Sequence, residues 1–283
     1  MTPFVYVLGV AQDGGHPQAG CTRPCCRGLA PGNGHLPSSL ALVDPESQER
    51  WLLDATPAFP EQLRRLDAVA PRAEGRPVLD GVLLTHAHMG HYTGLMFLGR
   101  EVLGARDVPL YLMPRLAGFL RDNGPWSQLV ALGNVRLVPG AEVRLNARLA
   151  ATALVVPHRD EYSETVAWRI QGPTGAVLYL PDIDRWDQWA LPLEHVLATV
   201  DAAWIDGTFW TDGELGRDMH EVPHPRIADT LARLAALPAA ERAKVRFTHL
   251  NHTNPVLDPT SPEAEAVTRA GCHVAVEGER FGL

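Results

Sequence analysis

No apolar run in this chain of 283 residues approaches the roughly 20 needed to cross a bilayer; stretches such as 82–84 and 154–156 are broken almost at once. A helical membrane span is therefore not expected. A basic run is equally absent, since 25 Lys and Arg stand against 33 Asp and Glu for a formal charge of −8. Binding to a phosphate backbone rests on clustered cations, so nucleic acid is a poor partner. The start, Met1-Thr2-Pro3-Phe4-Val5-Tyr6-Val7, lacks the basic flank and cleavage site of a leader, and cytoplasmic residence is the expectation. No Gly/Ser-rich or charged linker divides the chain and no repeat recurs, so residues 1–283 read as a single domain.

Cysteine is scarce, with four in all, and three of them crowd together as Cys21, Cys25 and Cys26 on a Gly/Pro-rich loop at about 12–35. Neighbouring cysteines strain a mutual disulfide. In a reducing compartment, such a group suggests a metal site more than a disulfide framework. Cys272 stands alone beside the apolar alternation of Val274 and Val276 and reads as a small buried hydrophobe.

What is present is the material of an ordinary globular core, 46% apolar and 20% charged. Enrichment in β-branched and aromatic residues between turn residues predicts strands over 4–8, 40–43, 51–53, 82–85, 110–112, 135–138, 149–156, 165–170, 176–180 and 202–205. Helical patterns lie over 61–68, 94–103 and 115–121, and after Pro225 the residues Ile227, Leu231 and Leu234 mark one apolar face. Strands and helices mixed in both halves imply a layered α/β architecture with sheets inside and helices outside.

Twelve histidines is a high count, and the densest group follows a strand: Leu84-Thr85-His86-Ala87-His88-Met89-Gly90-His91-Tyr92. Alternate residues of an extended segment point the same way, so His86 and His88 can reach one cation while His91 is offset toward a neighbouring position. Polar residues close later strands in the same manner: His158 after Val156-Pro157, Asp182 after Leu180-Pro181, and His249 after Phe247-Thr248. Five imidazoles and a carboxylate suffice for two metals bridged by Asp182.

The spacing His86-x-His88-x-x-His91, followed by His158, Asp182 and His249, resembles the metallo-β-lactamase superfamily over nearly the whole chain. The resemblance implies a four-layer αββα sandwich. It also implies a first metal on His86, His88 and His158, a second on His91 and His249, and a bridging Asp182. Where the cluster's aspartate would stand, this sequence has Gly90, which offers no side-chain donor. The second position is then weak, or water or another acid such as Asp184 fills the gap.

Within the superfamily, Val7-Leu8-Gly9, Asp13-Gly14-Gly15-His16-Pro17-Gln18, Asp206-Gly207-Thr208-Phe209-Trp210 and Thr248-His249-Leu250-Asn251-His252-Thr253-Asn254-Pro255 are similar to the pyrroloquinoline quinone biosynthesis protein B branch. That branch is depleted of the cluster histidines kept here. The cysteine loop and the histidine cluster also look similar to the phosphonate-pathway cyclic phosphodiesterase. That resemblance implies a structural zinc on Cys21, Cys26 and His252, with Cys25 the nearest substitute for a ligand whose place falls on Arg23.

A zinc, manganese or iron centre of one or two ions is thus expected, beside structural zinc at the cysteine loop. Metal-bound water has its pKa lowered toward about 7, which supplies the nucleophile of a hydrolase acting on a small phosphodiester or ester. By resemblance His224 is the general acid that protonates the leaving oxygen, and Asp54 orients a metal-bound histidine, a plain N-cap being its bland alternative. Asp13, His16 and Asp206 could line a pocket, but a turn role fits Asp13 better. Trp186, Trp189, Trp204, Phe209 and Trp210 are read first as core and only second as a stacking surface. His35, His195, His220 and His273 receive no role. The glycine loop is no phosphate cradle of the usual type, because no Lys follows it. An iron-dependent oxygenase or cofactor-biosynthesis enzyme, and a non-catalytic metal binder, stand as alternatives, and a homodimer is left open.

Overall fold

Apolar residues occupy both faces of most strands, and a strand buried on both faces must lie between two layers. The computed structural model, which describes residues 1–30, 32–219 and 222–283, shows how this is met. One seven-stranded sheet runs β14-β1-β2-β3-β4-β5-β6 and the other β13-β12-β11-β10-β9-β8-β7. The first comprises β1 (Phe4–Gly9), β2 (Ser39–Asp44), β3 (Glu49–Leu53), β4 (Gly81–Leu83), β5 (Val108–Leu112), β6 (Val135–Pro139) and the C-terminal β14 (Arg280–Gly282). The second comprises β7 (Glu142–Arg144), β8 (Ala150–Val155), β9 (Val166–Gln171), β10 (Ala176–Leu180), β11 (Ala202–Asp206), β12 (Val245–Thr248) and β13 (His273–Val274). Both sheets are mixed: β3 to β6 and β10 to β13 are parallel, while β1, β2, β8 and β9 pair antiparallel to their neighbours.

The two-residue period of a strand sorts the core into layers. Val5, Val7, Leu40, Leu42, Trp51, Trp168, Val177, Tyr179 and Trp204 meet between the sheets. Phe4, Leu8, Ala41, Val43, Leu52 and Val82 face outward onto α1 (Phe59–Val69) and α3 (Pro114–Asp122). Leu178, Leu180, Ala203 and Ile205 face α5 (Leu193–Leu197), α6 (Ile227–Leu234) and α8 (Pro262–Arg269) on the opposite side. The result is the helix–sheet–sheet–helix sandwich of the metallo-β-lactamase fold. Trp204 and Trp189 are core residues, as first read, and no helix among the described residues is long and apolar enough to cross a membrane.

One expected helix is not formed. Over 94–103 the chain makes a 3-10 helix, Thr93–Leu98, and then turns. The reason is close approach: the Gly94 amide donates to Ala55 O at 2.8 Å, and a Cβ on Gly94 would strike Thr56 O and sit 2.8 Å from Phe59 Cβ. Packing against the start of α1, not the apolar period, decides this segment.

Candidate metal centre

Every candidate donor leaves the carboxyl end of a strand, where open α/β sheets place their ligand sites. His86, His88 and His91 follow β4, His158 follows β8, Asp182 follows β10 and His249 follows β12. Since the two sheets face each other, these ends gather at one edge of the sandwich. His86 Nε2 lies 3.0 Å from His88 Nδ1, which is 3.2 Å from His158 Nε2. Asp182 sits between this trio and a second group: its Oδ1 is 3.8 Å from His158 Nε2, and its Oδ2 is 3.0 Å from His91 Nε2 and 3.5 Å from His249 Nε2.

The remaining ring nitrogens are held from behind. His86 Nδ1 contacts Thr85 Oγ1 at 2.9 Å, His91 Nδ1 contacts Asp54 Oδ2 at 2.8 Å, and His158 Nδ1 contacts Asp184 Oδ1 at 2.7 Å. His249 Nδ1 reaches Thr208 Oγ1 at 3.0 Å, and His88 Nε2 reaches Glu161 Oε2 at 3.0 Å. This arrangement of an outer acceptor on one nitrogen leaves the other nitrogen free to ligate. Asp54 is fully buried and stands at φ 64°, in the left-handed region that Asp tolerates better than most residues. His249, at φ 60°, is the second residue of the site held there.

Asp184 therefore does not fill the place left by Gly90; it orients His158 on the other side of the cluster. Asp13 is what lies at Gly90. Its Oδ1 is 3.2 Å from both His91 Nε2 and His249 Nε2, so its role goes beyond the turn assigned from sequence. Periodicity and spacing carry no signal for this contact, because the glycine loop and the histidine cluster meet only through tertiary packing.

The electrostatics separate the two halves. Burial holds His86 well below the ordinary imidazole range, and it lowers His88 as well against the pull of Glu161. Burial would also lower His91, but Asp182, Asp54 and Asp13 carry it well above that range, and Asp182 and Asp13 raise His249. Burial would raise Asp182 and Asp13, yet His249 and His91 keep both carboxyls well below the carboxylate range. His86 and His88 thus stand as neutral imidazoles, while His91 and His249 are set among the carboxylates of Asp13, Asp54 and Asp182, a mix of nitrogen and oxygen donors suited to borderline divalent ions. Two buried atoms fit the same purpose: His91 Nε2 and Asp182 Oδ2 have no hydrogen-bond partner of good geometry although both face the centre of the cluster.

His224 stands at the rim, 3.9 Å from Asp182 Oδ1, with its Nδ1 2.7 Å from Asp206 Oδ2. Asp206 is fully buried beneath His224; it also accepts from Thr208 and from the Ile183 amide. Phe209 packs edge-on to the His224 ring. Beyond His224 opens a cavity of about 470 Å³ whose wall includes Trp186 and Arg226. Arg226 donates to Met219 O and to His224 O. Trp186 bonds Thr230, while Trp210 packs against the core and does not line this cavity.

At the cysteine loop, Cys21, Cys25, Cys26 and His252 bring their ligand atoms within 4.8 Å of one another. His252 Nδ1 is 3.4 Å from Cys26 Sγ and 3.6 Å from Cys25 Sγ. Arg23 is turned away and donates to Leu215 O at 3.1 Å. His16 bonds Cys25 O and stacks on His35; His195 and His273 are exposed, and His220 lies outside the described residues.

A family model described as a beta-lactamase superfamily domain matches residues 49–252. The chain is 32% identical to a coenzyme PQQ synthesis protein B from Methylobacterium nodulans, over 98% of this chain and 99% of that one. It is 26% identical to the protein of the same description from Cupriavidus necator, over 99% of each. Zn(2+)-bound PqqB from Methylobacterium extorquens superposes with a TM-score of 0.83 at 25% identity, covering 99% of this chain and 100% of the other. A diphosphatase of the PhnP family superposes at 0.69 with 22% identity, covering 100% and 98%, a likeness of fold.

Proposed function

Because the chain belongs to the beta-lactamase superfamily and stands close to coenzyme PQQ synthesis protein B within it, we propose that it is a metal-dependent hydrolase of a small phosphodiester or ester. The observation that carries this reading is the donor cluster around Asp182 with His224 at its rim. Zinc is the ion the donors favour, with manganese or iron as substitutes, and His86, His88, His158, Asp182, His91 and His249 would hold one or two ions. When bound, such ions supply Lewis acidity and an ionised water at neutral pH. The chain's own residues do the rest. Asp54, Thr85, Asp184 and Thr208 fix which ring nitrogens face inward, and Asp206 holds His224 so that it can pass a proton to a leaving oxygen. Structural zinc at Cys21, Cys25, Cys26 and His252 would close the loop over the edge of the site, since a Cys₃His set leaves no open position.

The cavity wall carries Arg185, Arg226 and Arg233 against Asp184, Asp187, Asp212 and Asp229, which suits a small molecule and not a polyanion. A cytoplasmic protein, with homodimerisation open, belongs to the same proposal. One observation favours a second reading, a cofactor-biosynthesis or oxygen-using enzyme: the full-length likeness to coenzyme PQQ synthesis protein B. The test is turnover of bis(p-nitrophenyl) phosphate and p-nitrophenyl esters by zinc- or manganese-loaded protein without oxygen. Anaerobic hydrolysis lost in His88→Ala supports the hydrolase. Failure on the whole panel, with oxygen consumed by the iron-loaded protein, would replace it by the second reading.

A further inference from the structure

The glycine at position 90 is explained by what stands next to it. A Cβ built on Gly90 would fall on the carboxylate of Asp13 and lie 2.6 Å from Asp13 Cβ. No side chain can share that volume. We propose that Asp13, from the loop after β1, supplies the carboxylate that the histidine cluster lacks, completing a second metal position with His91, His249 and Asp182; this rests on the metal-centre reading above.

The geometry supports the assignment from three sides. Asp13 Oδ1 is equidistant, at 3.2 Å, from the two imidazole nitrogens that Asp182 Oδ2 also faces. His91 Nε2 is buried without a good hydrogen bond while its other nitrogen is engaged by Asp54, so the free nitrogen points at the place Asp13 and Asp182 share. The third side is the backbone. Gln12 N donates to Leu250 O at 2.8 Å, Leu250 N donates to Val10 O at 2.8 Å, and Gly15 N closes a turn on Gln12 O at 2.7 Å. The segment that presents Asp13 is therefore tied to the segment that presents His249, and the two donors are positioned together.

A carboxylate moved from one segment to another predicts a specific pattern among substitutions. Asp13→Gly removes the donor. Gly90→Asp alone adds a side chain to occupied space. Asp13→Gly combined with Gly90→Asp vacates the space and fills it from the other segment, so the pair should recover what each single change loses. Asp13→Asn keeps the volume of the side chain and removes its charge, which separates loss of ligation from loss of folding.

The readout is metal stoichiometry and affinity, measured by elemental analysis after equilibration with a competing chelator, together with the visible spectrum of the cobalt-substituted protein. Wild type should hold two ions at the cluster. Asp13→Gly and Asp13→Asn should bind the second ion about 100-fold or more weakly, beyond the range seen when an outer partner of a ligand is lost. The double variant should regain most of that affinity at an unfolding midpoint near wild type. If Asp13→Asn keeps the second ion at wild-type affinity, or the double variant binds no better than Asp13→Gly, the relocated ligand is refuted while the metal centre stands. If wild type itself takes up no ion at the cluster, both readings fall.

Discussion

Asp54→Asn removes one charge and almost no volume, yet it should loosen the cluster. Asp54 Oδ1 accepts from the Thr85 amide at 2.8 Å, and its carboxylate takes the Thr85 hydroxyl at 2.9 Å and His91 Nδ1 at 2.8 Å. A hydroxyl has one proton to give, so Thr85 Oγ1, once it donates to Asp54, can only accept from His86 Nδ1. Asp54 thereby fixes the tautomers of two imidazoles, sending Nε2 of each inward. Asparagine has one acceptor oxygen in place of two, and whichever way its amide turns, an N–H faces either His91 or Thr85. Toward His91 it drives that imidazole to the tautomer that protonates the metal-facing nitrogen, and toward Thr85 it opposes the Thr85 amide N–H and displaces the residue that orients His86. Loss of such an outer partner weakens metal binding by about 10–100-fold, or about 1.4–2.7 kcal/mol. Asn tolerates the φ of 64°, whereas Asp54→Ala would add about 1–2 kcal/mol of backbone cost to the buried donors it strands. Chelator competition measures the affinity, and chemical unfolding in excess chelator measures the stability. Wild-type affinity for both ions in a folded Asp54→Asn protein would refute the reasoning.

His224→Gln should lower turnover by about 10²–10⁴-fold and remove one limb of the pH–rate profile; metal content by elemental analysis should not change, and a lost ion would make His224 a ligand instead of a proton donor. Cys26→Ser should cost one bound metal and expose the 12–35 loop to limited proteolysis. Because that loop also carries Asp13, the second ion at the cluster should weaken too, and an unchanged second affinity would show the two places to be independent. Gly94→Ala should destabilise by about 1–3 kcal/mol in thermal unfolding, the usual cost of overpacking, since its methyl would press on Thr56 O and Phe59. A neutral result would mean that the 3-10 segment yields at little cost.

Much of the site was legible because chemistry there depends on residue type at strand ends. His86, His88, His158, Asp182 and His249 each close an apolar run, and a run ended by an imidazole or carboxylate is visible in one dimension. The layered fold was legible for a related reason: continuous apolar runs in β1, β2 and β10 require cover on both faces, which α1, α3, α5, α6 and α8 provide in part through the two outer cores. Other features were not legible. The short 3-10 turn over Thr93–Leu98 follows from one glycine's approach to Ala55 and Thr56, and the roles of Asp184, Asp206 and Thr208 follow from which ring nitrogen each one faces.

The sequence by itself determined the donor types, the strand ends they occupy and the empty place at Gly90, because identity and local spacing are properties of the chain alone. Only the tertiary structure decided that Asp13 occupies that place. Two segments far apart in the chain share the volume only after the loop behind β1 pairs with the backbone behind β12, and no local pattern encodes an exclusion that arises from their packing.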